Sequence, residues 1–218
     1  MNVPFRVGFC VSGEGRLFRS AVHLRQRIGI APVLLAAGHR ASPQLESFCE
    51  QQNVPYARVP ARPRETFERD ITRICVSANL DLLCLTFDRI LPAGLVKHYH
   101  GRIINTHLSL LPAFKGLQPL TDAQTAGTRF VGATIHQVEE EVDAGPIVAQ
   151  CMIGVQRADT AESLGRRLFA LVRPMYLQVI AWYAAGRVER DSHGRVWIRD
   201  AVYGELPVSP KIELQFPD

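Results

Sequence analysis

The chain has 218 residues, 47% of them apolar and 21% charged, with a formal net charge of +4. That length supports one sizeable domain or two closely packed halves, and the composition excludes wholesale disorder. The basic residues are too scattered to argue for nucleic acid, though they suit an anionic small substrate or a polyglutamyl tail. No run approaches about 18 apolar residues and the N-terminus lacks an apolar signal region, so a cytoplasmic protein with no membrane partner is expected. Five cysteines without a Cys-x-x-Cys pair read as reduced core thiols, and no metal site is expected.

Residues 7–11 form a short apolar run that ends in Ser12-Gly13-Glu14-Gly15, followed by a helical pattern to about Arg27. Strand, glycine turn and helix open a βα unit whose helix N-terminus can hold an anion with backbone N–H groups. Phe18 occupies the third-glycine position of a dinucleotide fingerprint, which argues against a dehydrogenase. Residues 32–37 read as a second strand, 42–52 as a helix and 54–59 as a third strand. The spacing of Phe67, Ile71, Ile74, Cys75 and Ala78 predicts a helix over 65–79. A buried strand over 81–87 runs into Asp88-Arg89-Ile90-Leu91-Pro92, and 93–99 forms a short helix. This alternation predicts an α/β fold: a Rossmann-like, mostly parallel sheet with helices on both faces and ligands beyond the carboxyl ends of the strands.

Ile103-Ile104 close another buried strand and deliver Asn105 and His107 two positions apart, hence on one face. A carboxamide donor beside an imidazole suits a reaction in which a carbonyl oxygen becomes an oxyanion while a proton moves. Asp143, before Ala144-Gly145, can return to orient or charge that imidazole. Further on, 121–126 is a short helix, 131–138 a strand in which His136 is a structural residue, and 146–151 a strand. Asp159-Thr160-Ala161-Glu162 resembles a capping box that starts a helix to about Ala185, kinked or split at Pro174. A hairpin follows around 191–195, and the proline-containing tail reads as loosely structured.

The run Asn105-Thr106-His107-Leu108-Ser109-Leu110-Leu111-Pro112, with Phe114-Lys115-Gly116 and Val142-Asp143-Ala144-Gly145, resembles the signature of folate-dependent formyltransferases. The resemblance is closest to the glycinamide ribonucleotide branch and extends over about residues 6–190. It implies a formyltransferase catalytic domain over 1–190, with an acceptor-binding half at about 1–100 and a folate-binding half at about 101–190, leaving 191–218 as hairpin and tail. It also implies transfer of a formyl group from 10-formyltetrahydrofolate, the co-substrate, to a primary amine of a small molecule. The family's catalytic Asn, His and Asp fall on Asn105, His107 and Asp143. Its pterin contacts fall on Arg89, Ile90, Leu91 and Val96 and on backbone near Val138, Glu139 and Glu140. Its phosphate turn falls on Ser12, Gly13, Glu14, Gly15 and Arg16.

Three departures coincide on the acceptor side. Arg16-Leu17 stands where the family has Ser-Asn, Gln118 to Leu120 replaces polar positions, and Val172 stands where a Glu is common. They lead to the expectation that the acceptor is not glycinamide ribonucleotide but an amino sugar or modified amino acid. Phosphoribosylglycinamide formyltransferase is the alternative. A formyltetrahydrofolate hydrolase, which usually carries an extra N-terminal domain, and a non-catalytic folate-binding protein are the other readings.

Overall fold

The structure, a computed structural model, describes residues 4–217. The chain divides into two compact units, residues 1–105 and 106–218.

The first unit is a parallel sheet. Strand β1 (Phe5–Val11) lies between β2 (Ile30–Ala37) and β4 (Leu82–Thr86). Beyond β2 lies β3 (Tyr56–Arg58), and beyond β4 lies β5 (Ile103–His107), giving the order β5-β4-β1-β2-β3. The connections are α1 (Arg16–His23), α2 (Gln44–Gln52), α3 (Arg64–Ser77) and α4 (Ala93–His98). Near-continuous apolar runs such as Leu82-Leu83-Cys84-Leu85 become strands because both faces of the sheet are covered. The order reverses at β1, so the loops after β1 and β4 leave neighbouring carboxyl ends, with Val11 beside Thr86. Helix α1 is shorter than its sequence pattern, since 24–29 form turns that end at Gly29 with φ +71°.

The second unit holds α5 (Pro119–Thr125) and the antiparallel pair β6 (Phe130–Gln137) and β7 (Ile147–Gly154). Helix α6 (Ala161–Ala184) packs across β6 and β7. A separate hairpin joins β8 (Val188–Arg190) to β9 (Val196–Ile198). Three details differ from the sequence reading. Helix α6 runs through Pro174 as one element, its buried face from Leu164 to Trp182 outweighing the missing N–H. Its capping box is closed by Ser163 rather than Glu162: Thr160 Oγ1 accepts from Ser163 N, and Ser163 Oγ accepts from Thr160 N. The tail contributes β10 (Val208–Ser209), paired antiparallel with β7. All five cysteines are buried thiols, and no described helix is long and apolar enough to cross a membrane.

Candidate active site

Within the first unit, three loops at the carboxyl end of the sheet meet. Ser12 follows β1, Arg40 follows β2 and Asp88 follows β4. Asp88 accepts hydrogen bonds from the Ser12 hydroxyl and from the Arg40 guanidinium, the latter through Nε at 2.6 Å and also through Nη2. Burial pushes the Asp88 carboxyl up, but these donors outweigh it and hold the group below the usual carboxylate range. Gly13 and Gly15, at φ +92° and +64°, shape the turn, and Gly15 is the N-cap of α1. Glu14 and Arg16 are exposed beside it.

Arg89 and Ile90 line a cleft of about 620 Å³ in this same unit, together with Arg40, Arg62, Arg64 and Phe67. The Arg89 guanidinium lies 4.1 Å from the Phe67 ring centre and donates to the Ala61 carbonyl, so its side chain shapes the cleft wall. Leu91 and Val96 are buried in the core and do not line it, while Ile90 is 60% exposed.

Strand β5 carries Asn105 and His107 two positions apart, with Asn105 paired in register with Leu85. Asn105 is half-buried. In the second unit His107 is buried and its Nδ1 stands 3.5 Å from Asp143 Oδ2. Its Nε2 lies 2.9 Å from the Phe114 carbonyl oxygen. A carbonyl only accepts, so Nε2 carries a proton and donates, leaving Nδ1 to face the carboxylate.

The loop that supplies Phe114 O is fixed by a buried polar hub. Thr134 Oγ1 donates to Ser109 O at 2.7 Å and accepts from Leu111 N at 3.1 Å and Gln150 Nε2 at 2.9 Å. Ser109 Oγ in turn donates to Ala113 O. Phe114 adopts φ +52°, and Gly116 N donates to Asp143 Oδ2 at 3.2 Å. The 114–116 segment is therefore tied to both His107 and Asp143.

Asp143 sits at φ +52° in the 138–146 loop between β6 and β7. That loop is closed at its neck: Gln137 N donates to Pro146 O at 2.8 Å, and a Cβ on Gly145 would lie 1.8 Å from Gln137 O. Only glycine fits there. Val138 and Glu139 are half-buried on this loop, and Glu140 is exposed.

His136 has more than the structural place expected of it. Its Nε2 is 3.6 Å from Asp143 Oδ1, so one carboxylate faces two imidazoles. Its Nδ1 donates to the Gln137 carbonyl at 2.9 Å, which fixes the tautomer. Burial pushes the pKa of His136 down, against the upward pull of that carbonyl and of Asp143. Neither Thr134 nor His136 carries a local sequence signal beyond a polar residue inside an apolar strand.

The family described as formyl transferase matches residues 6–180 of this chain. Phosphoribosylglycinamide formyltransferase of Mycobacterium tuberculosis is 31% identical over 185 residues, covering 83% of this chain and 85% of that protein. Among solved structures, phosphoribosylglycinamide formyltransferase from Anaplasma phagocytophilum aligns with a TM-score of 0.81 at 30% identity, covering 90% of this chain and 95% of the other. A formyltetrahydrofolate deformylase from Pseudomonas syringae aligns with a TM-score of 0.84 at 26% identity, covering 91% of this chain and 67% of the other. The chain spans about a fifth of the length of the trifunctional purine biosynthetic proteins that it also matches.

The resemblance to folate-dependent formyltransferases and the Rossmann-like fold are borne out. The expectation of an amino-sugar or amino-acid acceptor is corrected, because the relatives matched over more than 80% of both chains are phosphoribosylglycinamide formyltransferases. Three of the residues behind that expectation have a packing explanation, whereas Arg16 and Gln118 are exposed. Leu17, Leu120 and Val172 are 7%, 8% and 2% exposed, so each packs into apolar surroundings. The glycine turn offers an anion backbone N–H groups whichever side chains follow it.

Proposed function

Because this chain belongs to the formyl transferase family, we propose that it is a phosphoribosylglycinamide formyltransferase, moving a formyl group from 10-formyltetrahydrofolate to the primary amine of glycinamide ribonucleotide. The observation that carries the reading is the buried His107–Asp143 pair two residues beyond Asn105. A binding protein has no use for a buried acid–base pair beside a carboxamide donor.

In this reading the amine attacks the formyl carbon and an oxyanion develops on the former carbonyl oxygen. Asn105 donates to that oxygen through its carboxamide N–H. The Nε2–H of His107, bonded to the Phe114 carbonyl, is the donor the oxyanion takes over, since a charged acceptor makes the stronger bond. A proton leaving the amine is taken up at Nδ1, where Asp143 faces the resulting imidazolium directly. It is returned to the folate nitrogen as the oxyanion collapses and the bond from that nitrogen to the formyl carbon breaks, releasing tetrahydrofolate. The Gly13–Gly15 turn, with Ser12, Glu14 and Arg16, receives the phosphate of the acceptor.

The folate co-substrate supplies the formyl group and brings carboxylates on its glutamate end. Arg62 and Arg64, which line the cleft, fit an acid-bearing ligand of that kind. Arg89, Ile90, Leu91 and Val96, with backbone of Val138, Glu139 and Glu140, are the residues assigned to the pterin.

The test is absorbance-monitored conversion of 10-formyltetrahydrofolate to tetrahydrofolate with and without glycinamide ribonucleotide. Turnover that depends on the amine is expected. Formate release without any amine would replace this reading with a deformylase, the activity named for the Pseudomonas syringae neighbour.

A further inference from the structure

The 138–143 loop is held from outside by a residue that the mechanism does not use. Arg190 closes β8, and its Nε donates to Gln137 Oε1 at 2.8 Å, with Nη2 donating to the same oxygen. Nη2 also donates to Glu139 Oε1 at 2.9 Å. One guanidinium thus spans the last residue of β6 and the second residue of the loop. Gln137 is 2% exposed, and its other amide atom, Nε2, donates to the Tyr183 hydroxyl on α6 at 2.8 Å. Both ends of this buried carboxamide are therefore engaged, one by the helix and one by the hairpin.

The two ends of the loop are secured in different ways. The Asp143 end is fixed by backbone: the Gln137–Pro146 neck, the close approach of Gly145 and the Gly116 N–H on Asp143. The Glu139 end has Arg190. We propose that Arg190 is a positioning residue for the donor-binding backbone at 138–140, and that the β8–β9 hairpin is thereby part of folate recognition. This rests on the formyltransferase reading above.

The clamp predicts a split that a general loss of stability does not produce. Replacing Arg190 with Ala removes the charged donor from Gln137 Oε1 and the Nη2 bond to Glu139. Loss of such charge-assisted bonds is expected to raise KM for 10-formyltetrahydrofolate about tenfold. KM for the amine acceptor and kcat should stay within about threefold of wild type, because His107, Asp143 and the phosphate turn are anchored elsewhere. Arg190→Lys, which can reach one of the two acceptors, should recover part of the loss. Glu213→Gln serves as the control, since it removes the Arg187–Glu213 ion pair on the same unit without touching the loop.

Two measurements complete the experiment, one independent of ligand and one that depends on it. Amide hydrogen exchange over 138–142 should quicken in Arg190→Ala and not in Glu213→Gln. Calorimetric affinity for 5-formyltetrahydrofolate should fall in step with the rise in KM for the donor. Unchanged exchange would overturn the clamp itself. Faster exchange with unchanged affinity, or equal changes in both KM values, would overturn the role in folate recognition. A wild-type protein that does not bind 5-formyltetrahydrofolate would instead sink the folate reading, while the exchange data would still decide whether Arg190 holds the loop.

Discussion

His136 Nε2 lies 3.6 Å from Asp143 Oδ1, whereas His107 faces the other carboxylate oxygen, Oδ2. Burial favours the neutral ring, so the folded state binds a proton at His136 less readily than the unfolded chain does. A depressed folded pKa means that acid favours unfolding. Stability should therefore fall as pH drops from about 6.5, the ordinary histidine value, through the folded pKa. His136→Asn removes the titration, and urea unfolding at pH 7 and pH 5.5 should show a smaller acid loss than in wild type. An equal acid loss in both proteins would count against this account.

Asn105→Ala should leave the fold intact and strike turnover. Losing one oxyanion donor typically costs on the order of 100- to 1000-fold in rate. Steady-state assays should show kcat falling by about that factor while 5-formyltetrahydrofolate affinity changes little. Turnover near wild type would remove Asn105 from the mechanism.

Thr134→Val keeps the volume and deletes the hub that ties Ser109, Leu111 and Gln150. Each buried group left without its partner costs about 1–3 kcal/mol. Chemical denaturation should register a loss of that order, and kcat should fall as well, because the same loop brings Phe114 O to His107. A loss of stability with unchanged kcat would separate the hub from catalysis.

Asp88→Asn weakens the join between the Ser12 turn and Arg40. Because the carboxyl is held below its ordinary value, its contribution is present above about pH 3.8 and disappears as pH falls through the folded pKa. The variant should be less stable than wild type at pH 6, with the gap closing once pH has fallen below the folded pKa. A gap that persists at that acidity would point to packing rather than charge.

The sheet, most helices and the placement of Asn105 and His107 two positions apart on β5 are legible in the sequence, because each depends on short-range pattern: apolar runs, helical spacing and an i,i+2 pair. Partnerships between distant side chains are not. Ser12 and Asp88 are 76 positions apart and meet because β1 and β4 are parallel neighbours, a fact that no local window contains. Arg190 and Glu139 are 51 apart and meet only once the hairpin is placed. The departures at Leu17, Leu120 and Val172 misled for a related reason: their burial, which explains them, is a property of the packed chain.

The short strand β10 has a consequence for how this protein behaves in concentrated solution. Val208 and Ser209 satisfy the backbone of Cys151 and Gln150 along the flank of β7, which would otherwise offer hydrogen-bonding groups to another chain. Pro207 and Pro210 bracket the strand, and neither has an N–H to extend the ladder. This short strand thus acts as a selvedge along the middle of β7, where the backbone is no longer free for a second molecule to be stitched onto it.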